Sequence, residues 1–250
     1  MKKLVFLILS TFLLSSCDAE DAPGCFKKAG DIVQDEVSVD TFNEIIVYEQ
    51  VKLYIQQGPV RKVVIETGEN LRKDVSVEVI DNRLSIRNGN SCNLVRDYEL
   101  TKVYVTIPDL TWLQNSSGSA IETIGTLKLD ELWLRSVNQE NDLSIHTDGD
   151  FILELDVENL RITNDNVSNY FLSGKAENFD VFFAAGDSRL DASNLIVQKY
   201  EIFHRGTNKM IVFPVESIKG ELRSSGNVKA KNRPPVVDVE EYYTGRLIFE

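Results

Sequence analysis

The chain has 250 residues, 42 % hydrophobic and 26 % charged, with 39 acidic against 27 basic side chains and a net charge of −12. This balance offers no basic face for nucleic acid, whose binding rests on lysines and arginines that replace phosphate counterions. Three cysteines without a C-x-x-C spacing, and two histidines without partners at ligand spacing, exclude a metal site of recognisable pattern, and no cofactor is implied.

Met1-Lys2-Lys3 is a short basic start, and Leu4 to Leu14 is an apolar run too short to span a bilayer. It fits the core of a secretory signal over residues 1–16. The run ends in Leu14-Ser15-Ser16-Cys17, which resembles a bacterial lipobox. The expectation is an outer membrane lipoprotein held in the cell envelope by acyl chains on Cys17, its partner being the membrane itself. Asp18 to Asp21 is acidic, and reads either as a surface-export signal of Bacteroidetes-type lipoproteins or as a solvated tether. From Cys17 onward there are 25 basic and 39 acidic residues, a charge of −14. Cys25 and Cys92 remain; an extracytoplasmic setting permits a disulfide between them, and two unpaired thiols are the alternative. Residues 17–37, with Pro23, Gly24 and Gly30, read as the acylated flexible tether, and 38–250 as the folded domain.

From Phe42 the chain alternates apolar and polar residues, the mark of half-buried strands. Phe42 to Gly58 holds two strands, and Ile80 to Leu84 is a turn between two more. No amphipathic helix of three turns is visible, so the class is all-β. From Leu113 a unit recurs: an apolar pair flanking one residue, small or polar turn residues, then another apolar strand. Leu113, Leu134, Ile162, Val181, Ile202 and Leu222 are taken as equivalent positions, nearly evenly spaced except for a longer step between Leu134 and Ile162. The repeat is about 20 residues, which suits one rung of a β-solenoid. Two or three short strands joined by tight corners close each rung, and a rung buries its inner face only against its neighbours. Gly118, Gly186, Gly206 and Gly226 are the expected corner glycines, with Asn138 and Asn164 to Asn166 in the weaker rungs. Residues 40–108 begin the solenoid as less regular rungs or form a cap. Arg246 to Glu250 is the expected last edge strand.

The small-residue corners at Ser117-Gly118-Ser119-Ala120 and Ser224 to Val239, with Phe42 to Val47 and Val51 to Gly58, resemble the auto-transporter adhesin head, or GIN, domain family over residues 38–250. Ser136 to Asn141, Asn164 to Asn169 and His204 to Lys209 lack the full Ser-Gly-Ser corner. The resemblance implies a single-stranded right-handed parallel β-helix and an adhesin-like role on a Bacteroidetes-type lipoprotein.

No catalytic constellation can be read. Asp148, Asp150, Asp165, Asp187 and Asp191 could serve a polysaccharide lyase or hydrolase, but corner positions favour Asp because its side chain caps local backbone. Asp148-Gly149-Asp150 offers too few oxygens for calcium. His146 and His204 have no ligand partner, and Ser116 to Ala120 lacks the order of a nucleophile elbow. In Leu132-Trp133-Leu134, alternation sends Trp133 outward if the leucines point in. Phe182 and Phe203 flank Val181 and Ile202 in the same way. Trp133, Phe182 and Phe203 thus form a candidate surface binding stripe for a glycan or surface protein, unless they pack beneath a loop. Trp112 is assigned to core or rim. The leading expectation is a non-catalytic binding module; a carbohydrate-active β-helix enzyme and a self-associating envelope scaffold are the alternatives.

Overall fold

The computed structural model describes residues 27–90, 99–138 and 142–250; Cys17, Cys25 and Cys92 lie outside the described residues. The fold is all-β. Its described residues form one sheet of 17 strands, and the single helical turn among them is a 3₁₀ turn at Arg72–Asp74.

The second half is a parallel ladder. Strands β8 (Trp112–Ser116) and β9 (Ile121–Thr123) lie in one row and β10 (Leu127–Ser136) begins the next. Then come the long strands β11 (Phe151–Asn164), β12 (Tyr170–Phe183), β13 (Leu190–His204) and β14 (Met210–Leu222). Leu113, Leu134, Ile162, Val181 and Ile202 are direct partners through successive parallel pairings. The sixth position is displaced: Gly220 stands opposite Ile202, and Leu222 opposite His204. The cause is two register shifts along β13 and β14, after Asp191 and after Val197. Phe151, Tyr170, Leu190, Met210, Val228 and Leu247 form a second column, in nearly equal steps along the chain.

The central rows consist of single strands of 13 to 15 residues rather than of two or three short ones. In β11, β12 and β13 the strand bends where the alternation slips by one; in β14 the buried residues Met210, Val212, Pro214, Ile218 and Leu222 keep one parity. In β11, Phe151, Leu153, Leu155 and Val157 are buried, Glu158 and Asn159 are both exposed, and burial resumes at Leu160 and Ile162. The same doublet stands at Asp130-Glu131, Glu177-Asn178 and Gln198-Lys199. Because side chains alternate with period two, a slipped residue lets both arms of such a bent strand face the same interior. The bend stacks from row to row, with Asn159 opposite Asn178 and Asn178 donating to the Asn159 Oδ1 at 2.9 Å. The arms enclose one apolar core that runs from Phe42 to Ala230, each Leu or Ile contributing about 1.5–3 kcal/mol by burial.

The other corner joins the two columns through small and polar residues. Gly186, Gly206 and Gly226 follow one another here: Thr207 N–H donates to the Gly186 carbonyl, and Gly226 N–H to that of Gly206. Gly118 occupies the same corner between β8 and β9, and Asn138 follows β10 in the next row. Gly118 and Gly186 have positive φ, +70° and +87°; Gly206 and Gly226 do not, and serve through close approach. Under the corner lie buried polar side chains, among them Asn115, Ser136, Asn164, Ser168, Ser188 and His204. They pair with one another or with corner backbone: Ser136 Oγ meets Ser168 Oγ at 2.6 Å, and the Asn164 amide lies 2.7 Å from Ser188 Oγ.

The N-terminal third enters out of sequence order. Strands β2 (Glu44–Tyr48) and β3 (Lys52–Gln57) lie between two later segments. On one side are β6 (Arg83–Asn88) and β7 (Lys102–Ile107); on the other are β8 and β9, and all four pairings are parallel. Antiparallel strands then close the outer edge: β5 (Val75–Ile80) on β6, β4 (Lys62–Gly68) on β7, and β1 (Ile32–Val37) on β4. β1 falls inside the segment read from sequence as tether. Its pairing and the Lys27–Asp74 ion pair at 2.9 Å tie that segment to the sheet. At the far end, β15 (Val228–Ala230) pairs with β14, and β17 (Leu247–Phe249) with β15. β16 (Val236–Glu241) pairs in parallel with the second arm of β14.

Candidate functional site

The slipped doublets place a shallow cleft on the outside of the bend, of about 610 Å³. Its wall is one outward column of the ladder. Arg83 pairs with Glu44, Glu44 with Trp112, Trp112 with Trp133, Trp133 with Arg161, and Arg161 with Asp180. Arg135, two positions beyond Trp133, projects on the same face. Thr111, Asn159 and Asn178 supply polar rim groups.

Stacking holds the arginines. The Arg83 guanidinium lies 4.0 Å from the Trp112 ring centre, Arg135 4.7 Å and Arg161 4.6 Å from that of Trp133, and Arg135 also 5.6 Å from Trp112. Guanidinium on indole is attractive and fixes the plane of the fork. The Trp133 indole N–H donates to Thr163 Oγ1 at 2.9 Å, which locks its ring. Trp112 is only 7 % exposed and Trp133 half-buried.

The three cations differ in their partners. Arg83 is ion-paired with Glu44 at 2.5 Å and Arg161 with Asp180 at 3.5 Å. The Arg135 side chain makes no ion pair or hydrogen bond among the described residues, and its Nε is enclosed without an acceptor. Burial, and then the neighbouring charges of Arg83 and Arg161, push its pKa down, with Asp165 opposing. Among the described residues the cleft therefore holds one guanidinium whose charge no contacting acid compensates.

The three residues of the sequence-derived stripe are not one column. Phe182 and Phe203 are direct partners, with ring centres 4.7 Å apart and planes at 15°. Trp133 stands in the neighbouring column, and Thr163 takes its place beside Phe182. The division arises because Trp133 lies two positions before the one equivalent to Phe182. Trp112, assigned to core or rim from the sequence, is the second wall of the cleft. The signal that could have found it is Trp112-Leu113 against Trp133-Leu134, which repeats at the rung period.

Four of the five candidate acids are engaged locally. Asp150 accepts from the backbone and amide N–H groups of Asn169, Asp187 from the Thr207 hydroxyl, and Asp191 from Arg189 and the Ser193 hydroxyl. Asp165 accepts from Asn138 N–H at 3.3 Å. Asp148 and His146 line a second depression of about 590 Å³ with Glu49, Glu99 and Gly118. No group of three His, Cys, Asp or Glu side chains among the described residues could hold a metal ion. His204 is buried: its Nε2 donates to the Asn208 carbonyl at 2.9 Å and its Nδ1 accepts from Gly206 N–H at 3.3 Å.

Residues 41–234 match the family model described as "Putative auto-transporter adhesin, head GIN domain". The chain belongs to this family. Among solved structures, a putative adhesin of Bacteroides fragilis is similar with a TM-score of 0.76 at 19 % identity, over 89 % of this chain and 99 % of that one. A putative lipid binding protein of Parabacteroides distasonis gives 0.61 at 15 % identity, over 87 % and 96 % of the two chains. A putative adhesin of Parabacteroides merdae gives 0.58 at 16 %, over 87 % and 96 %. At these identities the likeness is one of fold. The curated proteins contain no match.

Proposed function

We propose that this GIN-domain protein is a non-catalytic, adhesin-like binding module of the cell envelope, anchored through lipid on Cys17, and that the Trp112–Trp133–Arg135 cleft is its binding surface. The observation that carries the reading is the uncompensated Arg135, held between two indoles in an open cleft. Stacked aromatics with a rigid cation are the composition of a recognition surface. Four of the five candidate acids, Asp150, Asp165, Asp187 and Asp191, are taken up by local hydrogen bonds, which supports a role without catalysis. Parallel pairing that recurs at the rung period supports reading the domain as a right-handed β-helix. Family membership and the adhesin names of its structural neighbours favour an envelope or surface location. No helix among the described residues is long and apolar enough to cross a membrane; attachment is assigned to acyl chains on the lipobox cysteine.

Two measurements test this. The fragment from residue 27, wild type and Trp133→Ala, is applied to glycan and matrix-protein arrays; the wild type binds and the variant loses at least tenfold in affinity. Absence of any wild-type binding overturns the adhesive role, and equal binding by the variant removes the cleft from it. Labelling cells with a fatty-acid analogue marks the wild type and leaves Cys17→Ser unmarked; a labelled variant refutes the anchor.

A further inference from the structure

From the charges of the cleft we infer its ligand class: a saccharide bearing isolated carboxylates, such as a uronic or sialic acid residue, whose carboxylate is taken by Arg135. The inference rests on the cleft being the binding surface, as proposed above.

Charge sets the class. The chain as a whole is acidic, at −12, and repels polyanions at long range. Within the cleft Arg83 and Arg161 are already spent on Glu44 and Asp180, and Glu131 adds a further acid to the rim. That leaves one unpaired cation, which suits one carboxylate and disfavours a densely sulfated or phosphorylated chain. Among the described residues Arg135 finds no acid in contact: it lies between two rings, and of the acids only Asp165 acts on it, at a distance. A planar guanidinium in a fixed plane meets a carboxylate through paired N–H donors.

The remaining walls favour a sugar over an acidic peptide. Asn159, Asn178 and Thr111 place amides and a hydroxyl along the rim of the same cleft, where sugar hydroxyls can meet them. The half-buried Trp133, with Arg135 and Arg161 against its ring, sets apolar surface among these polar groups, the mixture that a pyranose with its hydroxyls presents.

The chain contains two tryptophans, and both line the cleft, so intrinsic fluorescence reports on this site alone. The fragment from residue 27 is titrated with trigalacturonate and with 3′-sialyllactose, and in parallel with carboxyl-reduced trigalacturonate and lactose. At least one acidic probe should change the emission saturably. Its neutral counterpart should bind at least tenfold more weakly, Arg135→Gln should abolish the difference, and added salt should weaken the acidic probe. Equal responses to acidic and neutral forms overturn the carboxylate assignment while leaving the cleft as a glycan site. An Arg135-dependent response to an oligoglutamate peptide, with none to either sugar, overturns the saccharide. Silence towards every probe, with array binding unchanged by Trp133→Ala, overturns both this inference and the cleft. Arg135→Lys serves as the folding control; it keeps the charge and should retain part of the response.

Discussion

Gly226 has no room for a side chain because the ring of His204 stands there: a Cβ at position 226 would lie 2.2 Å from His204 Nε2. The corner of one row is thus closed by a buried imidazole from the row before. That imidazole must be neutral, since Nδ1 already accepts the Gly206 N–H. Burial lowers its pKa from the ordinary 6.5. Unfolded chain takes up the proton first, so the contribution to stability is complete above pH 6.5 and is lost as pH falls toward the depressed folded value. Urea midpoints should therefore fall between pH 7 and pH 5, and His204→Gln should flatten that slope. An unchanged slope in the variant would remove His204 as its source.

Corner glycines should differ in their tolerance of a methyl group. Gly186 has φ +87° and its Cβ would sit 1.9 Å from the Asn166 carbonyl. Left-handed strain and forced displacement together predict a loss of about 2–4 kcal/mol for Gly186→Ala. Gly206, without positive φ and with its nearest neighbour at 3.1 Å, should lose less than half as much. Equilibrium unfolding of the two variants decides the order; equal losses would refute it.

Asn115 is wholly buried, donates to the carbonyls of Ser119 and Asp150, and accepts from the N–H and hydroxyl of Ser117. Asn115→Leu keeps the branching at Cγ and orphans these groups, so a loss of about 2–4 kcal/mol is expected. An unshifted thermal midpoint would show that the corner satisfies itself without the amide.

Phe182 and Phe203 form a stacked pair outside the cleft, and Phe182 is 38 % exposed. A double-mutant cycle to Ala should give a coupling of about 0.5–1.5 kcal/mol. The tryptophan emission spectrum should not change. A shifted spectrum would mean that the pair supports the Trp133 wall.

Alternation and period carried much of the architecture in the sequence. Leu113 to Ile202 could be aligned because parallel rows in register repeat their inward residues, and repeated burial demands repeated apolar side chains. The recurrence failed at Leu222 because the register between β13 and β14 shifts twice, and such an irregularity leaves the apolar pattern intact while moving the partner. The slipped doublets such as Glu158-Asn159 were equally present, yet only the enclosed core shows that they mark a bend and not a loop. Insertion of β2 and β3 between later strands was not legible, because pairing order depends on contacts far apart in the chain.

Local periodicity thus determined by itself the strand content, the inward residues and the small-residue corner, since each follows from backbone geometry over a few neighbouring positions. Tertiary structure alone decided which outward residues meet. It put Trp112 against Trp133, sent Phe182 and Phe203 to another column, and left Arg135 without an acid in contact, because lateral neighbours are set by register between rows a full rung apart in the chain.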